Sequence, residues 1–232
     1  MVPESSALHS RPGEMRAALE FTAAETGFSQ RIIEKDYWCS LVLRELTRDA
    51  AGLVFKGGTL LSKAFTEFHR LSEDLDFTLP TVTGTPRAAR SARARVVKSR
   101  LDEIGDQLGL TWADPWRGHN KSTQYRGRLK YPATQDENES LLIEVGLRED
   151  TAEPPEDTRL HTLLLEPLFG EAVIEPFAIP ALSMREAYAE KVRAALTRPE
   201  PAIRDLFDLR QAKLTGLLPL ADAVWIAMVR AK

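Results

Sequence analysis

The first fifty residues carry hydrophobic side chains at the spacing of an α-helix. Two segments have this pattern, GEMRAALEFTAAETG at 13–27 and SQRIIEKDYWCSLVLRELTRDA at 29–50. Gly27 stands where the first helix is expected to end, and Ser29 stands where the second is expected to be capped. The pattern therefore predicts two helices at the beginning of the chain.

The pattern then changes to that of strands. GLVF at 52–55 is short and apolar, which is typical of a buried strand. Gly57 and Gly58 follow as a turn, and TLLSKAFTEF indicates a helix that begins at Thr59. EDLDFTL at 73–79 alternates apolar and polar residues. The predicted order is strand, turn, helix and strand.

The alternation in EDLDFTL decides which way its acids point. Leu75, Phe77 and Leu79 are expected to face the core, so Asp74 and Asp76 share the opposite face of the strand. Two carboxylates at this spacing can hold a divalent cation, and hard oxygen ligands suit Mg²⁺. An isolated D-x-D is more typical of a solvated strand face, so its neighbours decide between the two interpretations.

Two neighbours favour chemistry at this face. Backbone N–H groups of Gly57, Gly58 and Thr59, between a strand and a helix, are suited to receive phosphate oxygens. Glu144 lies inside the apolar run LLIEVGL, where a carboxylate needs a metal or a charged partner. We therefore predict Glu144 as the third acid of a two-metal phosphoryl-transfer site.

The remaining pattern predicts a mixed sheet with helices. A basic helix at 87–109 precedes strands at 110–114, 123–133 and 140–149. The acidic and proline-rich segment 149–158 and VIEPFAIP are interpreted as a connection to three C-terminal helices, at about 183–197, 201–213 and 218–230. Ser183 and Glu186 form a capping box at the first of them. We predict a core at 1–180 and a helical lobe at 181–232 that closes the site.

Composition and charge narrow the class of protein. The 232 residues are 43% hydrophobic, enough for a folded core, and no apolar run approaches the roughly 20 residues of a membrane span. The N-terminus lacks the apolar middle of a signal peptide, so we expect a cytoplasmic protein with no membrane contact.

Charge is unevenly distributed along a chain whose net charge is −3. Residues 87–130 contain eleven lysines and arginines against four acids, whereas residues 133–190 contain fourteen acids against three arginines. Arg90, Arg93 and Lys98 lie in the basic stretch and are predicted to bind RNA phosphates, although arginines on a helix equally serve solvation. The interspersed Trp112, Trp116, Tyr125 and Tyr131 are suited either to base stacking or to packing.

GGTLLSKAF followed by RLSEDLDF resembles the G-G-T and R-x-S-x-D-x-D signature of the AbiEii-type nucleotidyltransferase toxins, a branch of the DNA polymerase β-like superfamily. EKDYW at 34–38 is similar to an upstream family segment, and AEKVRAAL and RDLFDL are similar to two C-terminal motifs. The resemblance implies an α+β fold with a polymerase β-like core of mixed sheet and flanking helices, plus a C-terminal helical lobe.

The resemblance also implies roles for particular residues. Gly57, Gly58 and Thr59 would bind the triphosphate, and Asp74 and Asp76 the Mg²⁺ ions. Glu144 is predicted as a further metal ligand from its position within a strand, and Ser72 is predicted to belong to the nucleotide site. Lys191 would neutralise phosphate, and Asp205 with Asp208, one helical turn apart, would complete the pocket. From the sequence alone, Lys191 and the two aspartates equally suit a charged helix surface, Ser72 a brace for the strand, and Lys35 and Asp36 ion-paired helix packing.

The function implied is Mg²⁺-dependent transfer of a nucleotide from an NTP to RNA, with the 3′ end of tRNA as acceptor. Such a toxin blocks translation and has a cognate antitoxin as partner. Two alternatives stay open at this point: transfer to a small molecule or a protein side chain, and a non-catalytic nucleotide-binding protein. The sequence does not select the NTP, the tRNA, the antitoxin or the oligomeric state.

Overall fold

A computed structural model describes residues 7–136, 138–148, 150–200, 202–218 and 222–231. The strands are β1 Val54–Lys56, β2 Asp74–Thr78, β3 Thr111–His119, β4 Gln124–Lys130, β5 Ser140–Gly146, β6 Glu156–Leu160 and β7 Phe177–Ala181. The helices are α1 Pro12–Thr26, α2 Gln30–Leu46, α3 Gly57–Leu60, α4 Arg87–Leu108, α5 Met184–Thr197, α6 Ile203–Leu214 and α7 Ala223–Ala231. No described helix is both long and apolar enough to cross a membrane.

The strands form one mixed sheet in the order β3-β4-β5-β2-β1-β7-β6. β2 runs parallel to β5 and β1 runs parallel to β7, whereas the other neighbours are antiparallel. The predicted alternation in β2 is confirmed, because Leu75 and Phe77 are fully buried while Asp74 and Asp76 face away from the core.

The two faces of the sheet differ in what covers them. Helices α2 and α4 pack on one face, where α2 contacts β5 and β7 and α4 contacts β3. The Tyr125 hydroxyl donates to Ser91 Oγ of α4, and Trp112 Nε1 donates to Asp102 of the same helix. The face that carries Asp74 and Asp76 is the opposite one, which we call the open face. Near the aspartates, this face is lined by the Gly57–Gly58 turn, by Arg70 and Ser72, and by residues of α5 and α6.

Several predicted boundaries are confirmed by the structure. α1 ends before Gly27 and α4 ends before Gly109. Ser183 caps α5, since its hydroxyl accepts the Glu186 N–H at 3.1 Å. The Glu186 carboxylate does not complete the box but accepts the N–H groups of residues 152 and 153, so it ties the acidic connection to α5.

Other boundaries were predicted wrongly. The helix after β1 begins at Gly57 rather than Thr59, and it passes through α3 into a π-helical turn at Leu61–Phe65. Gly57 has φ +82°, which lets the chain turn from strand to helix without a separate loop. β3 extends to His119 because two register shifts accommodate Pro115 in an edge strand.

The acidic connection also contains strands that were missed. β6 begins within segment 149–158, which was interpreted as a connection, and it pairs with β7, which includes the end of VIEPFAIP. β6 is one of the two edge strands of the sheet, where charged residues are expected because they discourage pairing with another chain. The polar composition of β6 therefore explains why the sequence pattern did not predict this strand. Pro201 and residues 219–221, at predicted helix starts, lie outside the described residues.

Candidate active site

The sheet brings the three predicted acids onto neighbouring strands. Asp76 on β2 is directly opposite Glu144 on β5, and Asp74 is two residues before Asp76 on the same face. All three line a cleft of about 330 Å³ between the sheet and α5–α6. The sequence prediction that these carboxylates lie together is confirmed by this register.

Crowding of negative charge affects Asp76 in particular. Burial, followed by the charges of Glu144 and Asp74, raises the pKa of Asp76 to about 6. Lys56 and Lys191 oppose this rise but do not cancel it. A carboxylate held in this way is stabilised in its charged form by a cation close to it.

The donor set fits a magnesium ion that arrives with phosphates. Glu144 Oε1 accepts a hydrogen bond from Gln124 Nε2, which turns this carboxylate toward β4. No three acids, histidines or cysteines among the described residues form a ready-made metal cluster. Mg²⁺ in nucleotide sites commonly uses one or two carboxylates and substrate phosphates, which Asp74 and Asp76 satisfy.

The Gly57–Gly58 turn packs directly against the acidic strand. A Cβ on Gly57 would lie 2.8 Å from the Asp76 Cβ, and a Cβ on Gly58 would lie 2.8 Å from Ser72 Oγ. The Thr59 hydroxyl is buried and donates to the Asp74 carbonyl at 2.5 Å. Gly57, Gly58 and Ser72 line the cleft, whereas Thr59 fixes the turn to the strand from behind.

Lys191 enters the cleft from α5 and is held by two acids of α6. Its Nζ lies 2.8 Å from Asp205 Oδ1 and 2.9 Å from Asp208 Oδ2. Asp205 also pairs with Arg198, and Asp208 receives two hydrogen bonds from Arg70, at 2.5 and 2.6 Å.

This ion network gives the two aspartates different positions. Both are 1% exposed, but Asp205 lines the cleft whereas Asp208 is not among its lining residues. Burial opposes the ionisation of Asp208, yet the hydrogen bond from Arg70 and the charge of Lys191 hold its pKa below the usual range. Asp208 therefore positions Lys191 and Arg70 and does not itself face the cleft.

Several cations of the cleft were missed by the sequence reasoning. In total seven lysines and arginines line it against five acids, which favours an anionic occupant. The missed ones are Lys56, Arg148, Arg193 and Arg198. Lys56 was detectable, because it precedes Gly57 and alternates onto the face of Asp76, its cross-strand partner.

Arg193 is notable among these cations. Its Nε is buried and has no hydrogen-bond partner within the described residues. A buried donor without a partner costs free energy, and a ligand oxygen in the cleft would offset that cost.

Lys35 and Asp36 of the EKDYW segment lie behind the site and brace it. Lys35 Nζ contacts Glu73 Oε2 at 2.9 Å, immediately before Asp74, and so fixes the start of the acidic strand. Asp36 pairs with the buried Lys63 at 2.6 Å and accepts the N–H of Leu163. The ion-paired packing considered for these residues is what the structure contains.

The residues predicted to bind RNA use their charge within the protein. Arg90 donates to backbone carbonyls of residues 85, 121 and 122, and Arg93 donates to Pro80 O and Thr81 Oγ1. Lys98 pairs with Asp102 at 2.6 Å. All three belong to α4, on the face of the sheet opposite to the acids. RNA binding by these three stays a prediction.

The aromatic residues of the basic stretch pack on the α4 side. Trp116 stacks on Tyr125 with ring centroids 5.9 Å apart, and Tyr131 stacks on Trp38 at 5.5 Å. Tyr125 and Tyr131 are buried. The packing interpretation, rather than base stacking, describes these side chains.

Comparison with solved structures defines the class of the fold. The chain is similar to MenT4, a nucleotidyltransferase toxin from Mycobacterium tuberculosis, with a TM-score of 0.56 and 20% identity over 84% of this chain. It spans 62% of the length of that toxin. A likeness to the antibiotic-resistance factor ANT(2'')-Ia has a TM-score of 0.47 and 14% identity, over 85% of this chain and 90% of that chain, and is too low to add to the comparison. The fold is therefore the nucleotidyltransferase fold.

Comparison of the sequence defines the family. A profile described as nucleotidyl transferase AbiEii toxin, type IV toxin–antitoxin system, matches residues 41–227. The chain belongs to the AbiEii nucleotidyltransferase toxin family, as the motifs indicated. A search of curated protein sequences gave no significant match.

Proposed function

We propose that this protein is a cytoplasmic nucleotidyltransferase toxin that moves an NMP from an NTP to the 3′ end of RNA, with tRNA as the main acceptor. The observation that carries the proposal is the pair Asp74 and Asp76 opposite Glu144, in a cleft with a surplus of cations. A cognate antitoxin is the expected partner, since the family belongs to toxin–antitoxin systems.

The triphosphate is proposed to lie along the turn at Gly57 and Gly58. Asp76 and Ser72 occupy the space that side chains would take there, so the turn lies beside the acids, and its backbone N–H groups are proposed to receive phosphate oxygens. Lys191 and Arg193 extend from α5 on the other side of the cleft and neutralise phosphate charge. Asp205 and Asp208 keep Lys191 in position through the ion pairs described above.

Asp74 and Asp76 would hold Mg²⁺, with Glu144 beside them. The bound ion supplies charge neutralisation for the attacking oxygen, the α-phosphate and the leaving group. In the transfer, the acceptor hydroxyl oxygen forms a bond to the α-phosphorus while the bond to the β-phosphate oxygen breaks, and pyrophosphate leaves. Glu144 is proposed to take the hydroxyl proton, since its carboxylate lies beside Asp76 on the neighbouring strand and is oriented by the hydrogen bond from Gln124.

The test is a labelling reaction with each of the four α-labelled NTPs, Mg²⁺ and total RNA. The wild-type protein should label RNA at its 3′ end, and Asp76→Asn should lower the rate by about 10²-fold or more. Asp157→Asn, an exposed acid on the opposite edge strand β6, is the matched control and should label as wild type does. Equal labelling by wild type and Asp76→Asn would refute the assignment, as would an inactive wild type with all four NTPs.

A further inference from the structure

The open face of the sheet continues past the acids onto β4 and β3, where it carries arginines. Arg126 on β4 is the cross-strand partner of Glu144, and Arg128 is the partner of Leu142. Arg117 on β3 is the partner of Arg126. Paired residues of adjacent strands project from the same face, so these arginines share a surface with Asp74 and Asp76. We call Arg117, Arg126 and Arg128 the arginine face.

The arginine face lines a groove of about 440 Å³ together with Asp114, His119 and Leu142. It is one strand removed from Glu144 and two from Asp76, because β4 is next to β5 and β5 is next to β2. Adjacent strands lie about 4.8 Å apart, which puts Arg126 at roughly 10 Å from Asp76 across the sheet. The groove therefore lies on the same face of the sheet as the acids, at roughly 10 Å from Asp76.

Folding gains little from these arginines. Arg117 and Arg126 are exposed like charges on directly opposite positions, an arrangement that destabilises a strand pair. Among the described residues, no carboxylate is close enough to either of them for an ion pair, and Arg126 Nε meets only His119 Nε2, at 3.2 Å. Arg128 pairs with Asp114 at 3.4 Å, but the two side chains are 42% and 69% exposed, so solvent screening leaves the pair worth little.

The contrast with α4 is direct. Arg90 and Arg93 donate to backbone carbonyls and so hold loops in place, on the covered side of the sheet. The arginines of β3 and β4 keep donors available on the side where the acids lie. Both groups come from the same basic stretch of sequence, yet only the second is positioned to meet a polyanion at the reaction site.

We propose that the arginine face binds the phosphate backbone of the acceptor RNA strand and guides its 3′ end to Asp74, Asp76 and Glu144. This inference rests on the proposed function and names the surface that recognises the acceptor. The ring systems of Trp112, Trp116 and Tyr125 lie on the α4 side, so recognition here is through phosphates rather than stacked bases. Binding is therefore sensitive to salt and weakly dependent on base sequence.

Two double variants with the same loss of charge separate the two basic regions. Arg117→Gln/Arg126→Gln removes two charges from the arginine face. Arg87→Gln/Arg95→Gln removes two charges from α4, where both side chains are exposed. The binding probe is a fluorescein-labelled single-stranded RNA of about twelve nucleotides, measured by anisotropy without NTP over a series of salt concentrations.

The arginine-face variant should bind this RNA at least about tenfold more weakly at low salt. Its plot of log affinity against log salt should be shallower by about 1.4, since each lost phosphate contact on a single strand removes about 0.7. In the transfer reaction with total tRNA, KM for tRNA should rise about tenfold, with kcat and KM for the NTP within about twofold of wild type. The α4 variant should match wild type in every measurement.

Unchanged RNA affinity and unchanged KM for tRNA in the arginine-face variant would overturn the inference, and so would a larger loss in the α4 variant. The binding arm needs no turnover. If wild-type protein transfers no nucleotide but the arginine-face variant still loses RNA affinity, the proposed function fails and the RNA-binding surface stands. If wild type transfers nucleotide and the variant binds RNA as wild type does, the surface fails and the proposed function stands.

Discussion

Lys63 and Lys191 are both held by aspartate, and they differ in what surrounds each ammonium group. Lys63 is 0% exposed, lies 2.6 Å from Asp36 Oδ1 and also donates to Ser40 Oγ at 2.7 Å. Lys191 is 12% exposed, bridges Asp205 and Asp208, and lines the cleft. The first ammonium group is enclosed by protein, whereas the second keeps one side for a ligand.

The comparison separates a structural ion pair from a functional one. Asp36 also accepts the N–H of Leu163, so the Lys63 pair joins α2, the turn after α3 and the segment after β6. The two aspartates that hold Lys191 each have a second cation. If Lys191 were removed, Asp205 would still pair with Arg198 and Asp208 with Arg70. Loss of Lys63 should therefore damage folding, and loss of Lys191 should damage chemistry.

The largest effect on stability is expected from Lys63→Met. The substitution leaves the Asp36 carboxylate buried without its cation, which should lower the free energy of unfolding by about 3–5 kcal/mol. Urea unfolding followed by circular dichroism measures it. Asp36→Leu/Lys63→Met should recover part of the loss, because it removes both charges. A loss below about 1 kcal/mol in the single variant would mean that the pair is not enclosed as described.

Lys191→Met should have a large effect on transfer and a small one on folding. We expect kcat/KM to fall by about 10²–10³-fold, equivalent to about 2.7–4 kcal/mol of transition-state stabilisation. The free energy of unfolding should fall by only about 1–2 kcal/mol, since both aspartates keep an arginine. Lys191→Arg, which retains the charge, is the control. If Lys191→Met unfolds as readily as Lys63→Met and its folded fraction keeps full activity, the distinction between the two lysines is wrong.

Asp76→Asn tests the opposite case to the two lysine–aspartate pairs. Asp76 forms no ion pair among the described residues. Its pKa is raised from 3.8 to about 6, so the folded protein loses stability as the pH rises through that range and Asp76 ionises. Without metal, Asp76→Asn should be more stable than wild type by roughly 1–3 kcal/mol at pH 8 and similar to it at pH 4. Thermal unfolding in EDTA at both pH values measures this, with Asp157→Asn as a variant that should show no such dependence.

Lys98→Gln should have the smallest effect. Its partner Asp102 is one helical turn away, and both side chains are about two-fifths exposed, at 42% and 39%. Solvent screening leaves such a pair worth about 0.3–0.5 kcal/mol. Urea unfolding should give a change of that size or none, and a loss comparable with that of Lys63→Met would contradict the role assigned to burial.

The sequence was informative where local pattern and chemistry coincide. The alternation in β2 predicted that Leu75 and Phe77 point inward and that Asp74 and Asp76 point outward, and the apolar run around Glu144 marked the third acid. These inferences need only the two-residue period of a strand and the cost of burying a charge.

The predictions that were wrong or missing concern residues whose contacts lie far away in the sequence. Nothing local to Arg93 or Arg126 says that the first bonds to a loop carbonyl and the second remains exposed, because strand order and helix placement decide it. Asp208 could not be assigned to the wall behind Lys191 without knowing that Arg70, 138 residues earlier, reaches it. Edge strand β6 was missed because most of its residues are polar and face solvent, so it lacks the apolar pattern of a core strand.

The bond between Arg70 and Asp208 joins the C-terminal helices to the segment before β2. Movement of α6 away from the sheet to admit substrates would break both of these hydrogen bonds. It would also leave the buried Asp208 carboxylate without Arg70. We therefore expect the NTP to enter, and pyrophosphate to leave, through the opening of the cleft along the sheet. A hinge motion of α6 is not expected to limit the rate of turnover.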